Sequence, residues 1–505
     1  MRKGQRIIEE TISQQLAGTL RGLDGLIVAG AVLLLFVISY VFGRQERDTQ
    51  DFFLGGRRVP PLVACLSFVA TEISALTMVG MPHKAFVENW RWVQFLIGLA
   101  FARLIVAFLF IPAFYKYQCT SIYEFLGHRF GPATQYTGSL YFLITRLLAS
   151  GVRLYVTCMA VGSIMGWPLA PTIALFTVVS VLFIAFGGIK AVVWAGAYEA
   201  LFFVVAGVLV VGYLLRHIDG GLASALQTAG QAGRLSTFCF QLNLNDASTF
   251  WAGMAGGFFS GLVSFGADQE MVQRLLTVET RRSSQKTIVA TILAALPVYW
   301  LYLLVGTLLY VFYAQHPGLP QPQEAKQIFP HFARTILPAG LKGLVLGAVV
   351  MASIDSPLSS LTSSFVSDIY RPLVRRHATE RHYLLISRIA VVGFGLLLAG
   401  IAAACSPVEN ILDFAFQVLS LPGGSLLGVF LLGLLTRRKA NLANIPAMLV
   451  STAVSAVLLI LIQQKMLHLG WTWLIVIGTV LTMALSYLFG SVARMLSAPL
   501  KSQGA

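Results

Sequence analysis

Residues 347–372 read GAVVMASIDSPLSSLTSSFVSDIYRP, and this stretch carries the densest set of cation-binding groups in the chain. Proline has no N–H, so Pro357 leaves the carbonyl of Ser353 without its helical partner. Helical spacing aligns Val349, Ala352, Ser353, Ser356 and Ser360 on one stripe, with Asp355, Ser359 and Thr362 beside them. A freed carbonyl, several hydroxyls and one carboxylate are hard oxygen ligands, suited to a small cation such as sodium. The plainer reading is that the hydroxyls tie helices together; a carboxylate next to a proline favours the ion site. A second polar island, VATEISALT, interrupts an otherwise apolar stretch with Glu72, Ser74 and Thr77. A carboxylate near the centre of a bilayer costs about 2.5–3.5 kcal/mol, so its presence there points to function.

These groups sit in a chain of 505 residues that is 57% hydrophobic and only 11% charged. The apolar residues fall in blocks of about twenty, the length that crosses ~30 Å of hydrocarbon. Thirteen spans are expected, numbered 0 to 12: 26–43, 60–81, 92–115, 134–165, 168–187, 191–215, 248–268, 284–314, 338–368, 382–404, 409–436, 442–463 and 470–492. The fold class is therefore an all-α, multi-pass membrane protein whose first partner is the lipid bilayer. The formal net charge of +15 would suggest nucleic acid on a soluble chain. Here Lys and Arg crowd the short loops between spans, so no nucleic-acid partner is expected. The loops with Arg44, Arg47, Arg57 and Arg58, with Arg274, Arg281, Arg282 and Lys286, with Arg371, Arg375, Arg376 and Arg381, and with Arg437, Arg438 and Lys439 all fall on one side. That side reads as cytoplasmic. The N-terminus is then outside and the C-terminus inside the cell membrane, a bacterial inner membrane by expectation. Arg2, Lys3, Arg6 and Arg21 run against this at the N-terminus, and residues 1–22 have no functional account. Five cysteines show neither a disulfide framework nor metal spacing.

Spans 1 and 6 stand five apart. Span 6, FWAGMAGGFFSGLVSFGADQEMVQRLL, carries Gly253, Gly256, Gly257, Gly261 and Gly266, a pattern of close packing or of unwinding. Two interrupted spans at matching places in two halves point to an inverted-repeat transporter with its site between them.

Several strings, in order, resemble the sodium:solute symporter family: DFFLGGR before span 1, IPAFYKYQCTSIYEFLGHRFG after span 2, GGIKAVVW at the start of span 5, and GADQEMVQRLL and SDIYRP in spans 6 and 8. The resemblance runs from about Asp51 to Arg438. It implies a LeuT-type fold of two inverted five-helix repeats with discontinuous helices 1 and 6. The chain then divides into an N-terminal segment 1–22, a first helix and linker 23–59, a first repeat 60–215, an external loop 216–247, a second repeat 248–436 and peripheral helices with a tail 437–505. It also implies alternating access, no enzymatic activity, no organic cofactor, Na+ as coupling ion, a small-molecule solute as partner, and work as a monomer. Carried over by alignment, the sodium site would use backbone oxygens of Ala70, Ile73 and Val349 and two hydroxyls at the positions of Ala352 and Ser353. One of those hydroxyls is missing at Ala352, and Asp355 with Ser356 close by would compensate. Members with a further sodium site often carry Asp two residues after the Trp of GGxxAVVW. Here Gly196 stands there, with Glu199 one turn on, so one coupling ion is expected. Proton coupling through Glu72, Glu199 or Asp355 is the alternative, and a membrane sensor is the alternative from another class.

The expected solute-lining positions are Ser74 and Thr77 on span 1, Arg153 on span 3, Ser264 and Phe265 on span 6, and Gln417 on span 10. The positions aligned with a sugar-type site are Leu96, Gly261 and Ala294, which do not support one. Arg103, Arg146 and Arg153 lie within apolar stretches, where a guanidinium is normally paired. Arg103 and Arg146 are read as members of internal ion pairs, Arg153 as one or as the reader of a solute carboxylate.

Overall fold

The computed structural model describes residues 22–43, 49–354, 357–405, 411–437 and 441–497. Eleven of its helices are long and apolar enough to cross a membrane, and two shorter apolar helices, Leu169–Ala185 and Leu341–Ala352, lie where spans 4 and 8 are expected. Spans 1 and 10 are mostly buried among their neighbours, whereas spans 0, 9 and 11 present mostly exposed apolar surface. This is the distribution of a bundle whose centre is protein and whose rim is lipid.

The irregular points of the backbone are where the sequence is least regular. Span 1, Pro61–Val87, turns sharply at Ser74 (φ 25°, ψ 174°). Left-handed backbone at a residue with a side chain is strained and rare. Span 6 runs as a helix over Phe250–Leu262, widens into a π-turn at Val263–Ala267, breaks at extended Asp268 and resumes as Gln269–Leu276. Its glycines pack rather than unwind it. A methyl group added at Gly257 would overlap the carbonyl of Phe95, and one at Gly98 would lie 2.5 Å from the carbonyl of Met254, so spans 2 and 6 meet backbone to backbone. Spans 4 and 5 join without a loop at Gly188, whose φ of 48° needs glycine.

The loops gather at two ends. At the arginine-rich end, Val59 N–H donates to the Thr277 carbonyl at 3.2 Å, and Arg129 donates through Nε to the Gly433 carbonyl at 2.9 Å. At the other end, Gly470 N–H donates to the Leu244 carbonyl at 2.7 Å and Trp90 N–H to Ser236 at 3.1 Å. The two longest expected loops carry helices of their own, Gly221–Gln231 and Ile328–Thr335.

Span 0 packs on spans 4, 5 and 8, and a buried carboxylate ties its start to span 8. Asp24, 1% exposed, accepts from the N–H groups of Gly340 at 2.7 Å and Gly343 at 2.9 Å, at the start of span 8. Negative charge at a helix N-terminus satisfies orphan donors and meets the positive end of the helix dipole. Farther along, Phe36 packs on Phe183 and Phe42 stacks on Trp194 at 4.1 Å. Asp24→Ala should lower stability by about 2 kcal/mol, because two buried N–H groups lose their acceptor. Asp24→Asn, which keeps an acceptor oxygen, should lose less. Thermal melts of the purified protein decide it, and equal melting of Asp24→Ala and wild type would remove the cap from the account.

Candidate functional site

The two breaks face one cavity. It encloses ≈ 120 Å³ and is walled by Glu72, Ser74, Arg146, Arg153, Ser264 and Phe265, with Thr71, Asp268, Tyr299 and Phe416 also at its surface. Span 1 brings Glu72 and Ser74 because its backbone turns there. Span 6 brings Ser264 and Phe265 on its π-turn, and Asp268 at the break caps the following helix by accepting from Glu270 N–H at 2.9 Å.

Two buried charge clusters frame the cavity. In the first, Glu72 pairs with Arg103, with side chains 6% and 1% exposed, and also accepts from the Tyr299 hydroxyl at 2.9 Å. The Arg103 guanidinium lies over the Phe265 ring, 4.3 Å from its centre. In the second, Arg146 lies between Asp268 at 2.6 Å and Glu270 at 2.7 Å. Arg153 is 3.5 Å from Glu270, a carboxylate that Arg146 already holds more closely. Arg274 supports this cluster from below, donating to the Ser67 hydroxyl at 3.2 Å and to the Glu270 carbonyl at 2.7 Å. Charges removed from water this far persist only when paired and hydrogen-bonded. Arg153 is the most exposed of the arginines in these salt bridges, at 17% against 1% for Arg103 and 9% for Arg146.

Toward the end away from the arginine-rich loops, the cavity is roofed by aromatic rings. Phe416 meets Phe95 edge to face at 4.9 Å, and Trp92 stacks on Phe95 at 4.7 Å.

Of the expected lining residues, Ser74, Arg153, Ser264 and Phe265 come together here, and Glu72 joins them. Thr77 does not: it is 4% exposed and lies beyond the break, where the helix phase is reset. Gln417 does not either. Ala415, Phe416 and Leu419 of span 10 face the cavity, and Gln417 is turned aside. Glu199 is buried on span 5 and away from the cavity wall. Sequence reasoning missed Arg146, Asp268, Tyr299 and Phe416 as wall residues. Asp268 and Glu270 in GADQEM were the available signal, two acids inside a membrane helix that require cations.

Among the expected sodium ligands, Ala70, Ile73 and Val349 are each 1% exposed. Ala70 and Ile73 lie within one turn of the break at Ser74, and spans 1 and 8 pack together. Ala352 lines a different, smaller cavity with Arg153, Thr157, Thr177 and Pro357, between spans 3, 4, 8 and 9. Ser353 belongs to the helix Leu341–Ile354, whereas Asp355 and Ser356 lie outside the described residues.

The model of the sodium:solute symporter family matches residues 52–451, most of the chain. The chain belongs to the sodium:solute symporter family. Within the family it is similar to the sodium/sialic acid symporter NanT of Aliivibrio fischeri, 30% identical over 483 residues, covering 93% of each protein. It is also similar to the human sodium-coupled monocarboxylate transporter 1, 28% identical, covering 87% of this chain and 73% of that protein. A solved structure of a Na+-coupled sialic acid symporter, in a substrate-bound outward-open state, superposes with a TM-score of 0.84 at 24% identity, covering 94% of this chain and 98% of the other. That likeness shows the fold, which is the LeuT-type arrangement expected, with breaks in spans 1 and 6. Members of the sodium:solute symporter family are transporters, and the cavity at the two breaks is where such a fold places its cargo.

Proposed function

We propose that the chain is a sodium-driven symporter of a small organic anion, with Arg153 as the group that reads the anion's carboxylate. The observation that carries this reading is the position of Arg153. It lies in the wall of the central cavity, and its partner Glu270 is closer to Arg146. A solute carboxylate would meet a guanidinium with donors to spare, in the planar geometry that arginine favours. The relatives fit: sialic acid and monocarboxylates both carry one carboxylate. In this reading Phe265 and Phe416 give the solute apolar walls, and Ser74 and Ser264 give it hydroxyl partners.

Sodium would bind between spans 1 and 8, at the carbonyls of Ala70, Ile73 and Val349 and at Ser353, with Asp355 nearby in sequence. In this reading the arginine-rich end faces the cytoplasm. A tenfold sodium gradient supplies ~1.4 kcal/mol, and roughly 150 mV of potential adds ~3.5 kcal/mol per charge. One sodium thus suffices to concentrate a neutral solute more than a thousandfold, by the same ~5 kcal/mol. With a monoanion one sodium leaves only the chemical gradient, so concentrative uptake of an anion gains most from a second ion. Proton coupling through Glu72 fits less well, because that carboxylate would have to leave both Arg103 and Tyr299 to carry a proton.

The test is a thermal-shift screen of the purified protein against organic acids, once in sodium and once in potassium. Stabilisation that needs both an acid and sodium is expected, since a ligand that binds the folded state raises its melting point. Arg153→Gln should then weaken binding of the acid by about tenfold or more, the loss of one charge-assisted hydrogen bond, and spare a neutral analogue. Equal loss for both, or equal stabilisation in potassium, would overturn the assignment.

A further inference from the structure

Span 9, Glu380–Ala404, presents mostly exposed surface, and that surface is not wholly apolar. Arg381, Leu385, Arg388, Ile389, Val392 and Leu396 are all exposed. Their spacing is that of one helical stripe, since seven residues make almost two full turns. Arg388 lies about 12 Å along the axis from the first residue of the helix, at 1.5 Å per residue. Its neighbours on the stripe are Leu385, 56% exposed, and Val392, 47% exposed. A guanidinium on a lipid-facing helix needs an anion or water, and hydrocarbon offers neither. Helical side chains lean toward the N-terminus of their helix, which for span 9 is the membrane boundary. Arg388 therefore reaches up the stripe toward the level of Arg381.

The loop before span 9 adds charge at the same end. Tyr383 folds it back on the helix: its hydroxyl donates to the Arg375 carbonyl at 2.7 Å and accepts from Ala378 N–H at 3.2 Å. The Arg371 guanidinium lies 5.0 Å from the centre of the same ring. Arg371, Arg375 and Arg376 are exposed, and so are Leu373 and Val374 between them. Carboxylates do not balance this charge. Arg371 reaches Glu380 only at 3.9 Å, with both side chains exposed. Arg375, Arg381 and Arg388 form no salt bridge among the described residues. Elsewhere at this end arginines give their donors to the protein, Arg57 to the Cys119 carbonyl at 3.1 Å and Arg129 to that of Gly433 at 2.9 Å. Water would satisfy the loop arginines but gains nothing from the apolar side chains beside them. An anionic phospholipid supplies both, phosphate oxygens for the guanidinium forks and acyl chains for the stripe below.

We propose that the start of span 9 and the loop before it hold one anionic phospholipid, from the leaflet that meets the arginine-rich end. Its phosphate sits between Arg388 and Arg381, with the loop arginines around the headgroup, and its chains lie along Leu385, Ile389 and Leu396. Paired guanidinium–phosphate hydrogen bonds fix the headgroup in place. A zwitterionic lipid brings its phosphate with a cation attached, which the same arginines repel. The loop closes span 8, so the bound lipid holds the end of span 8 against span 9. None of this depends on the identity of the solute or of the coupling ion.

The experiment is native mass spectrometry of the purified, delipidated full chain, titrated with phosphatidylglycerol, with phosphatidylcholine and with inorganic phosphate. The expected result is a first phosphatidylglycerol bound about tenfold more tightly than phosphatidylcholine. Arg388→Gln should weaken that first adduct by about tenfold, as loss of a hydrogen bond to a charged group does, and Arg381→Gln should do the same. Arg388→Lys, which keeps the charge without the fork, should recover part of the loss. Arg281→Gln, at an exposed arginine of another loop, should leave the adduct unchanged. These side chains are exposed, so lipid-free melting should match wild type; if Arg388→Gln melts lower, Arg381→Gln carries the test. Equal binding of the two lipids overturns the site and leaves Arg388 reaching to water. A loss in Arg281→Gln as large as in Arg388→Gln overturns it in favour of diffuse attraction. Displacement of the lipid by an equal concentration of inorganic phosphate overturns the lipid as occupant.

Discussion

Replacing Arg146 with glutamine is expected to lower the stability of the protein by about 3–5 kcal/mol, the range found when one partner of a buried ion pair is removed. Arg146 is the hub of the lower cluster. It lies 2.6 Å from Asp268 and 2.7 Å from Glu270, whose side chains are 5% and 1% exposed. Without it, two carboxylates remain away from water, and Arg153 at 3.5 Å reaches only one of them. The site fails together with the fold, because Asp268 caps the second half of span 6 and lines the cavity. The double substitution Arg146→Gln with Glu270→Gln should recover part of the loss, since it removes one stranded charge. Melting curves of detergent-purified variants measure both quantities. A single variant that melts within a degree or two of wild type would show that the lower cluster does not hold the two halves of span 6.

Gly257→Val is expected to prevent accumulation of folded protein. The side chain would enter the space of the Phe95 carbonyl, which belongs to a helix backbone and cannot retreat as a side chain could. Overpacking a tight core usually costs about 1–3 kcal/mol, and here the contact is repeated. Gly253 faces Gln94, Gly261 faces Ala102, and Gly98 faces Met254 from the other side, so a shift at one level separates all of them. Gly212→Ala on span 5 is the control, because a methyl group there meets nothing within 4 Å. Size-exclusion profiles of the two variants should differ completely. A monodisperse Gly257→Val would mean that spans 2 and 6 tolerate separation.

The spans were legible because lipid demands long apolar runs and the loops between them are short. The break in span 1 was legible too. Glu72, Ser74 and Thr77 interrupt a hydrophobic helix, and the turn falls at Ser74. Span 6 was harder to read. Its glycines suggest either packing or unwinding, and sequence alone does not separate the two. The structure gives packing to the glycines and the break to Asp268, the residue after the π-turn. The pairing of Arg103 was foreseen, and its partner is Glu72. Arg146 was foreseen as paired but not as part of the cavity, because its partners lie more than 120 residues on in another span. Span 10 shows how narrow the margin is. One residue along a helix is a rotation of about 100°, and that separates Phe416, in the wall, from Gln417, turned aside. The sequence marks that polar group but not the phase of its helix.

The cap made by Asp24 has a consequence for how the chain assembles as it is synthesised. Asp24 and Gly340 are 316 residues apart. At about 5–20 residues per second, its acceptors' partners emerge many seconds after span 0 has entered the membrane. Until then Asp24 has no buried donors and keeps to the watery boundary of the bilayer. The aromatic contacts of Phe36 and Phe42 with spans 4 and 5 can form much earlier. Span 0 is therefore first an anchor hinged at its far end, and becomes part of the transporter only when span 8 arrives to receive its carboxylate. A nascent chain stopped before span 8 would have its first helix half docked, with the Asp24 end still accessible to a water-soluble label.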